Sequence, residues 1–413
     1  MLCSPILSLS FLIHIASAIV QSPVKGPLKG FNYNPADDVA TLFPLAKNEL
    51  SKIGAPGFTS ARVYTALDPD SSKPVPHPVF RAAGNTNTSV LIGLACSLGD
   101  QKFQNELTAL TAVLADKDNK YGNLVAKNLI VGISVGNEDF YRQSVKDTPL
   151  AASLGDGSKT STIIKQINLV RKTLAELNPP LDTKLPVGHT DTWRMWVDKD
   201  YGAKLLSAQP KQDDFKPIDF IGMQAFGYWE GYDIHNSSAY TTEALDSVKS
   251  VAGDIPIWAT ETGWPIDGPK CCDGPPNAPG MPGMLAYAGK DEAQIWWKKV
   301  GCETLFAGSG SEARNTWWYR LYASPGKSAA QEKGIEFQVL SKAAKGKGGV
   351  EAAFPLGCDV DAPTVAAPVE SGEGIKRKNS KTSAGAVVVV PEWRVLSPVI
   401  VVCVYRFLVS MVI

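Results

Sequence analysis

Residues 257–265 read IWATETGWP, an apolar run that closes on Glu261 and breaks at Gly263 and Pro265. A buried ionised carboxylate costs several kcal/mol unless it is paired, so a strand that ends on a glutamate needs a partner or a chemical task. A second run, LIVGISVGNE from Leu129, ends the same way on Glu138. Six further segments share the enrichment in Val, Ile, Thr and aromatic residues: KGFNYN from Lys29, SARVYTA from Ser60, SVLIGLACSL from Ser89, LPVGHTDTW from Leu185, DFIGMQAFGYW from Asp219 and NTWWYRLY from Asn315. Most of the eight are apolar on both faces, as parallel strands must be when helices cover one side and a barrel interior fills the other.

Helical periodicity fills the gaps. STIIKQINLVRKTLAEL (161–177) places Ile163, Ile164, Ile167, Val170, Leu174 and Leu177 on one face, with Lys165 and Lys172 elsewhere. QKFQNELTALTAVLADK (101–117) and DEAQIWWKKVGC (291–302) behave similarly. Eight strands with helical crossovers over roughly 330 residues predict an α/β fold, a (β/α)8 TIM barrel forming a single catalytic domain. The alternative is an open doubly wound sheet. No GxGxxG or GxxxxGK[ST] loop follows any strand, which removes that alternative's usual nucleotide signature.

The 413 residues carry 41 Lys plus Arg against 41 Asp plus Glu, so no net field recruits nucleic acid or an acidic partner. A neutral substrate fits better. Residues 1–18, MLCSPILSLSFLIHIASA, are apolar and end in Ala-Ser-Ala, which predicts a signal peptide; a buried N-terminal helix is the alternative, since a positive leading segment is lacking. Secretion implies an oxidising compartment for Cys96, Cys271, Cys272, Cys302 and Cys358, an odd number. Cys302 with Cys358 is the expected pair, fastening the last segment to the barrel, while Cys271 or Cys272 could pair with Cys96. The four histidines, His14, His77, His189 and His235, lack ligand spacing, so no metal is expected. Asn87 and Asn236 open glycosylation sequons.

The barrel domain is expected over residues 19–358, followed by a polar linker over 359–394. Residues 395–413 form a hydrophobic tail; with the VVVV run before it, interrupted by Arg394 and Arg406, and Ser383-Ala384-Gly385 upstream, it resembles a GPI-anchor signal, a membrane helix or a non-functional tail being the alternatives.

All strand C-termini of a parallel barrel open on one face, so Glu138 on the fourth strand and Glu261 on the seventh project into one mouth. A single strand-end glutamate is more often a solvated rim residue, but two carboxylates flanking a bond are what glycoside cleavage requires. Arg62 and Tyr64 share a face of the second strand, from which Arg62 can hold Glu261 ionised; a purely structural ion pair is the competing reading. Asn137 can bond a sugar hydroxyl or simply form a turn. Tyr33, Asp191, Phe226, Tyr228, Trp264 and Tyr319 lie at strand ends and are further candidates for a substrate groove.

ISVGNEDFYR and IWATETGWP, about 120 residues apart, resemble the two signature segments of glycoside hydrolase family 17. KGFNYN, FTSARVYT, GHTDTW and NTWWYRLY look like other strands of the secreted fungal endo-1,3-β-glucanases in that family, so the resemblance runs from Lys29 to Cys358. It implies a retaining hydrolase with Glu138 as acid/base and Glu261 as nucleophile, their carboxyl groups roughly 5 Å apart. The implied substrate is the β-1,3-glucan of a fungal wall, with no cofactor, acted on by a monomer that is secreted to the wall or held at the plasma membrane by a GPI anchor. A transglucosylase using the same intermediate, or an idle glucan-binding wall protein, are the competing functions. The insertion GPKCCDGPPNAPGMPGM after the second signature departs from the family pattern and bears on the groove beside Glu261.

Overall fold

In the computed structural model, residues 27–35, 37–148, 155–208, 218–271, 286–306, 314–322, 335–342, 350–359 and 363 are described. The expected signal peptide, most of the linker, the hydrophobic tail and Cys272 lie outside them.

Eight parallel strands pair in chain order and close into a barrel: β1 (Lys29–Tyr33), β2 (Phe58–Val63), β3 (Ser89–Leu94), β4 (Ile130–Asn137), β5 (Val187–Thr192), β6 (Phe220–Gln224), β7 (Ile257–Thr262) and β8 (Thr316–Trp318). Closure is made by β1 against β8, with Lys29 opposite Thr316 and Phe31 opposite Trp318. Each of the eight expected runs forms one strand. The closed order excludes the open doubly wound sheet.

Two apolar layers result. Leu91, Phe220 and Trp317, from strands that are not neighbours, touch one another with Val131 and Trp258 packed beside them. Such contacts are possible only inside the barrel. Phe220 and Trp258 stack there at 3.9 Å, plugging its N-terminal end. The larger core lies between the sheet and the surrounding helices, among them α1 (Val39–Lys52), α2 (Val79–Thr86), α3 (Asp100–Leu114), α4 (Asp139–Ser144) and α5 (Thr160–Glu176). On α5 the expected stripe is realised: Ile163, Ile167, Val170 and Leu174 are buried, and Ile164 and Leu177 pack half-buried at its edge. Each buried side chain of this kind contributes about 1.5–3 kcal/mol.

After β5 come two short helices, α6 (Trp193–Val197) and α7 (Gly202–Leu206); α8 (Ser237–Ala252) follows β6. The helix expected over 291–302 divides into α9 (Lys290–Trp296) and a π-helix, Trp297–Leu305. Cys302 on the π-helix pairs with Cys358 at a Cα separation of 5.5 Å, and Trp297 Nε1 donates to the Leu356 carbonyl at 2.9 Å. The last described segment is thereby held on the barrel wall. A short antiparallel pair, β9 (Leu340–Lys342) and β10 (Val350–Ala352), was not legible as strands. Cys96 corrects one expectation: it is a buried free thiol behind β3, whereas Cys271 follows β7 across the barrel and is itself disulfide-bonded.

Candidate active site

Toward the C-terminal end the barrel interior turns polar. On β2 the parity that directs Ser60 inward, where it accepts from Trp317 Nε1, also directs Arg62 inward. Arg62 is fully buried. Its Nη1 donates to Asn32 Oδ1 at 2.8 Å and to Glu261 Oε1 at 2.5 Å, and its Nη2 donates to Asn137 Oδ1 at 2.7 Å. The Tyr64 ring lies 4.8 Å from the guanidinium carbon.

Glu261 reaches this interior by a slip in register. Trp258 faces inward with the apolar plug, so strict alternation would turn Glu261 outward to the helices. The β6–β7 ladder shifts between Met223 and Gln224, and the β7–β8 ladder between Ala259 and Thr262. An extra residue in a ladder re-aims the side chains beyond it. Gln224 then sits opposite Glu261 and donates to its Oε1 at 2.7 Å, and donates at the same distance to Asn137 Oδ1. Gly263 must be glycine here, because a Cβ would lie 2.2 Å from the Tyr319 carbonyl oxygen.

Glu138 arrives by a different device. Gly136, the penultimate residue of β4, has φ +93°, where a Cβ would lie 2.3 Å from Asp139 Oδ2, and Glu138 itself adopts φ +54°. The left-handed turn ends the strand and starts α4 immediately after it. Glu138 is buried, and its Oε2 has no hydrogen-bond partner among the described residues.

Burial pushes the Glu138 carboxyl well above the usual carboxylate range, the Glu261 and Asp191 charges push it further, and Arg142 and Arg62 oppose them. Burial also raises Glu261, but Arg62, the Tyr64 hydroxyl and Gln224 pull it back by stabilising the anion. Two carboxyl groups that sense each other cannot both ionise cheaply. Among the described residues Glu261 has a cation in contact and Glu138 has none, so the anion is better supported on Glu261 and the proton on Glu138.

Buried polar atoms around this network without a hydrogen-bond partner among the described residues include Asn137 Nδ2, Glu138 Oε2 and Gln224 Oε1. Such atoms are rare in a folded interior and mark a place built for a polar ligand.

The structure brings together Arg62, Tyr64, Asn137, Glu138 and Glu261. It sends other candidates elsewhere. Tyr33 lies on the outer face of β1, edge-on to Phe43 of α1 at 4.7 Å. Tyr228 is fully buried, its hydroxyl on the Pro269 carbonyl, and Trp264 packs on Trp296 while its Nε1 donates to the Tyr287 carbonyl. Asp191 is fully buried, with its carboxylate engaged by the backbone amides of Phe140, Tyr141 and Thr192. These four do not offer a sugar the groups expected of them. Phe226 and Tyr319 meet edge-on at 6.1 Å, both against Phe337, and form an aromatic wall. Asn87 is exposed at the end of α2 and Asn236 is half-buried at the start of α8.

Asn32 and Gln224 belong to the network and were not singled out in the sequence. Their signal was a polar residue in an inward register of an apolar strand, outshone in DFIGMQAFGYW by the aromatics after it. Among the described residues no cluster of His, Cys, Asp and Glu could hold a metal ion.

The pattern of the BtgE/BtgC glycoside hydrolase domain matches residues 30–336, nearly the whole barrel. Proteins named "Probable glucan endo-1,3-beta-glucosidase" from Aspergillus terreus and Aspergillus fumigatus are each 34% identical, over 76% and 74% of this chain and 58% and 62% of theirs. The chain thus spans about three fifths of their length. A "Glucan 1,3-beta-glucosidase" of Saccharomyces cerevisiae is 26% identical over 66% of this chain and 75% of its own. The crystal structure of a glycoside hydrolase family 17 β-1,3-glucanosyltransferase from Rhizomucor miehei superposes with a TM-score of 0.50 at 19% identity, covering 76% of this chain and 92% of that one, which supports the fold. The chain belongs to the BtgE/BtgC glycoside hydrolase domain family.

Proposed function

With that membership as the premise, we propose that the chain is a retaining glycosidase that cleaves internal β-1,3-glucosidic bonds of fungal wall glucan. The observation that carries the reading is the unequal pair of carboxyl groups: Glu261 held by Arg62 and Gln224, and Glu138 buried beside it without a cation in contact. The names of the relatives support the substrate class, and the uncharged polymer suits a chain with no net charge.

Glu138 donates its proton to the glycosidic oxygen while Glu261 attacks the anomeric carbon, giving a glycosyl-enzyme. Because Oε1 of Glu261 already accepts from Arg62 and Gln224, the attacking atom is Oε2. Glu138, now a carboxylate, takes a proton from the incoming water, which releases the sugar with retained configuration. Asn137 Nδ2 and Gln224 Oε1, without partners among the described residues, are suited to sugar hydroxyls.

The same intermediate can be opened by a second sugar, which would give transfer. The test is incubation of the purified chain with linear β-1,3-, β-1,4- and mixed-linkage glucans, followed by sizing of the products and proton NMR of the first-formed anomer. Internal cuts in the β-1,3 polymer with a β-anomer first support the reading. Chains longer than the donor identify transfer, and an α-anomer first refutes retention.

The leader-like segment and the glucan in the relatives' names support an extracellular enzyme acting at the wall, which we take to be a monomer, and the two sequons put glycans on Asn87 and Asn236. The C-terminal tail favours a GPI anchor. Release of the protein from membranes by a phosphatidylinositol-specific phospholipase tests the anchor.

A further inference from the structure

We propose that Asp191 is a positioning residue for Glu138, fixing that carboxyl through the backbone of α4 and standing beside it as a buried carboxylate. The proposal rests on the reading of Glu138 as general acid.

The geometry begins with the strained approach to Glu138. A non-glycine residue at φ +54° costs of the order of 1 kcal/mol and persists only where its surroundings hold it. The surroundings here are specific. The Glu138 amide donates to the Thr190 carbonyl at 3.0 Å, and the Asn137 amide donates to Asp139 Oδ2 at 2.8 Å. Directly after Glu138, the amides of Phe140 and Tyr141 donate to Asp191 Oδ2 at 2.8 Å and Oδ1 at 3.3 Å. Asp191 is itself fixed: the Thr192 amide donates to Oδ1 at 2.9 Å. His189, two residues before it on β5, donates from Nδ1 to the Val135 carbonyl of β4 at 2.6 Å. Both carboxylate oxygens are thus occupied by protein groups, and none is left for a sugar.

The charge acts on the same neighbour. Facing Glu138 are Glu261 from β7 and Asp191 from β5 as like charges, Arg62 from β2 and Arg142 from α4 as opposite ones, and the Tyr141 hydroxyl. Arg142 is already committed to Asp139 at 3.0 Å. During turnover Glu261 loses its charge to the sugar ester, whereas Asp191 keeps its own. A fixed anion beside Glu138 therefore keeps the acid's proton affinity high through the half-reaction in which Glu261 no longer supplies repulsion.

The test uses the full chain labelled with 13C at the glutamate carboxyl carbons, the Glu138 resonance being identified by its loss in Glu138→Gln. In Asp191→Asn the titration midpoint of Glu138 falls by roughly one pH unit, and the alkaline limb of kcat/KM on β-1,3-glucan moves down with it. Hydrogen exchange of the Phe140 and Tyr141 amides accelerates. A lowered melting temperature with the Glu138 midpoint unmoved would reduce Asp191 to a scaffold residue and overturn the proposal. The NMR arm needs no turnover: a moved midpoint in a chain inactive on every glucan sinks the enzymatic reading while the coupling of Asp191 to Glu138 stands. Should Asp191→Asn not fold, Asp191→Glu keeps the charge on a longer arm. Its Glu138 midpoint stays within about 0.3 units of wild type while kcat drops about tenfold, and a midpoint a full unit lower refutes the charge argument.

Discussion

The Arg62 guanidinium lies 2.5 Å from Glu261 Oε1, with both side chains fully excluded from solvent and 199 residues apart in sequence. A buried pair of this kind adds little net stability, because the desolvation of both ions offsets their attraction. What it does is assign the charge: the same burial that would protonate an isolated glutamate is opposed at Glu261 and left unopposed by any contacting cation at Glu138.

Glu261→Gln is expected to lower hydrolysis of β-1,3-glucan at least about 10³-fold, and Glu138→Gln about 10²–10⁴-fold. The two differ in rescue. Glu138→Gln retains glycosylation by an aryl glucoside whose leaving group needs no proton and recovers turnover with azide, whereas Glu261→Gln does neither. Initial rates with and without azide check this, with circular dichroism to verify the fold.

Under the proposed roles, turnover needs Glu261 ionised and Glu138 protonated, and a bell-shaped pH profile is expected. The acid limb follows Glu261, whose carboxyl is raised by burial and pulled back by Arg62. Arg62→Gln removes the cation, Glu261 then holds its proton to higher pH, and the acid limb shifts upward by roughly 1–3 pH units. A measured kcat/KM profile in which that limb stayed in place would contradict the assigned electrostatics.

Glu106 on α3 reaches across to the loops after β2 and β3, accepting from the Thr65 hydroxyl and from the amides of Ala66 and Ala95. Burial nevertheless raises its carboxyl from 4.5 to about 7. The folded state thus binds the proton more tightly than the unfolded chain. Its contribution is fully present below pH about 4.5 and lost as pH rises toward about 7, amounting to about 3 kcal/mol across the window. Melting temperatures of wild type and Glu106→Gln over pH 4–8 should show a decline in the first that is flattened in the second.

Removing the Cys302–Cys358 bridge, which spans 56 residues, should lower stability by roughly 4 kcal/mol on the chain-entropy argument, with kcat little changed. Denaturant titration of the Cys302→Ser, Cys358→Ser double variant measures the loss. The buried Cys96 thiol should react with iodoacetamide only after unfolding.

Legibility followed the range of the interaction. The alternation of apolar strands with amphipathic helices is local, and it located all eight barrel strands and the stripe of α5. The division of residues 290–305 into α- and π-helix left no such trace, because what accompanies it is a cross-link to Cys358 and the packing of Trp297 on Phe58 and Phe354. Aromatic residues after strands misled for a related reason. Tyr228 and Trp264 follow β6 and β7 as expected, yet they fill the space between the loops and α9, since a large flat side chain serves a core as well as it serves a sugar.

The sequence alone determined that eight apolar strands alternate with helices and that two of them end in glutamates. Those are properties of short stretches, set by side-chain period and burial. The tertiary structure decided which way Glu261 faces, through ladder slips that depend on the neighbouring strands β6 and β8. It also decided that Asn32, Arg62, Gln224 and Asn137 converge on it and that Asp191 serves the backbone beside Glu138. Bonds between strands distant in the chain exist only after the barrel closes, so no local pattern could announce them.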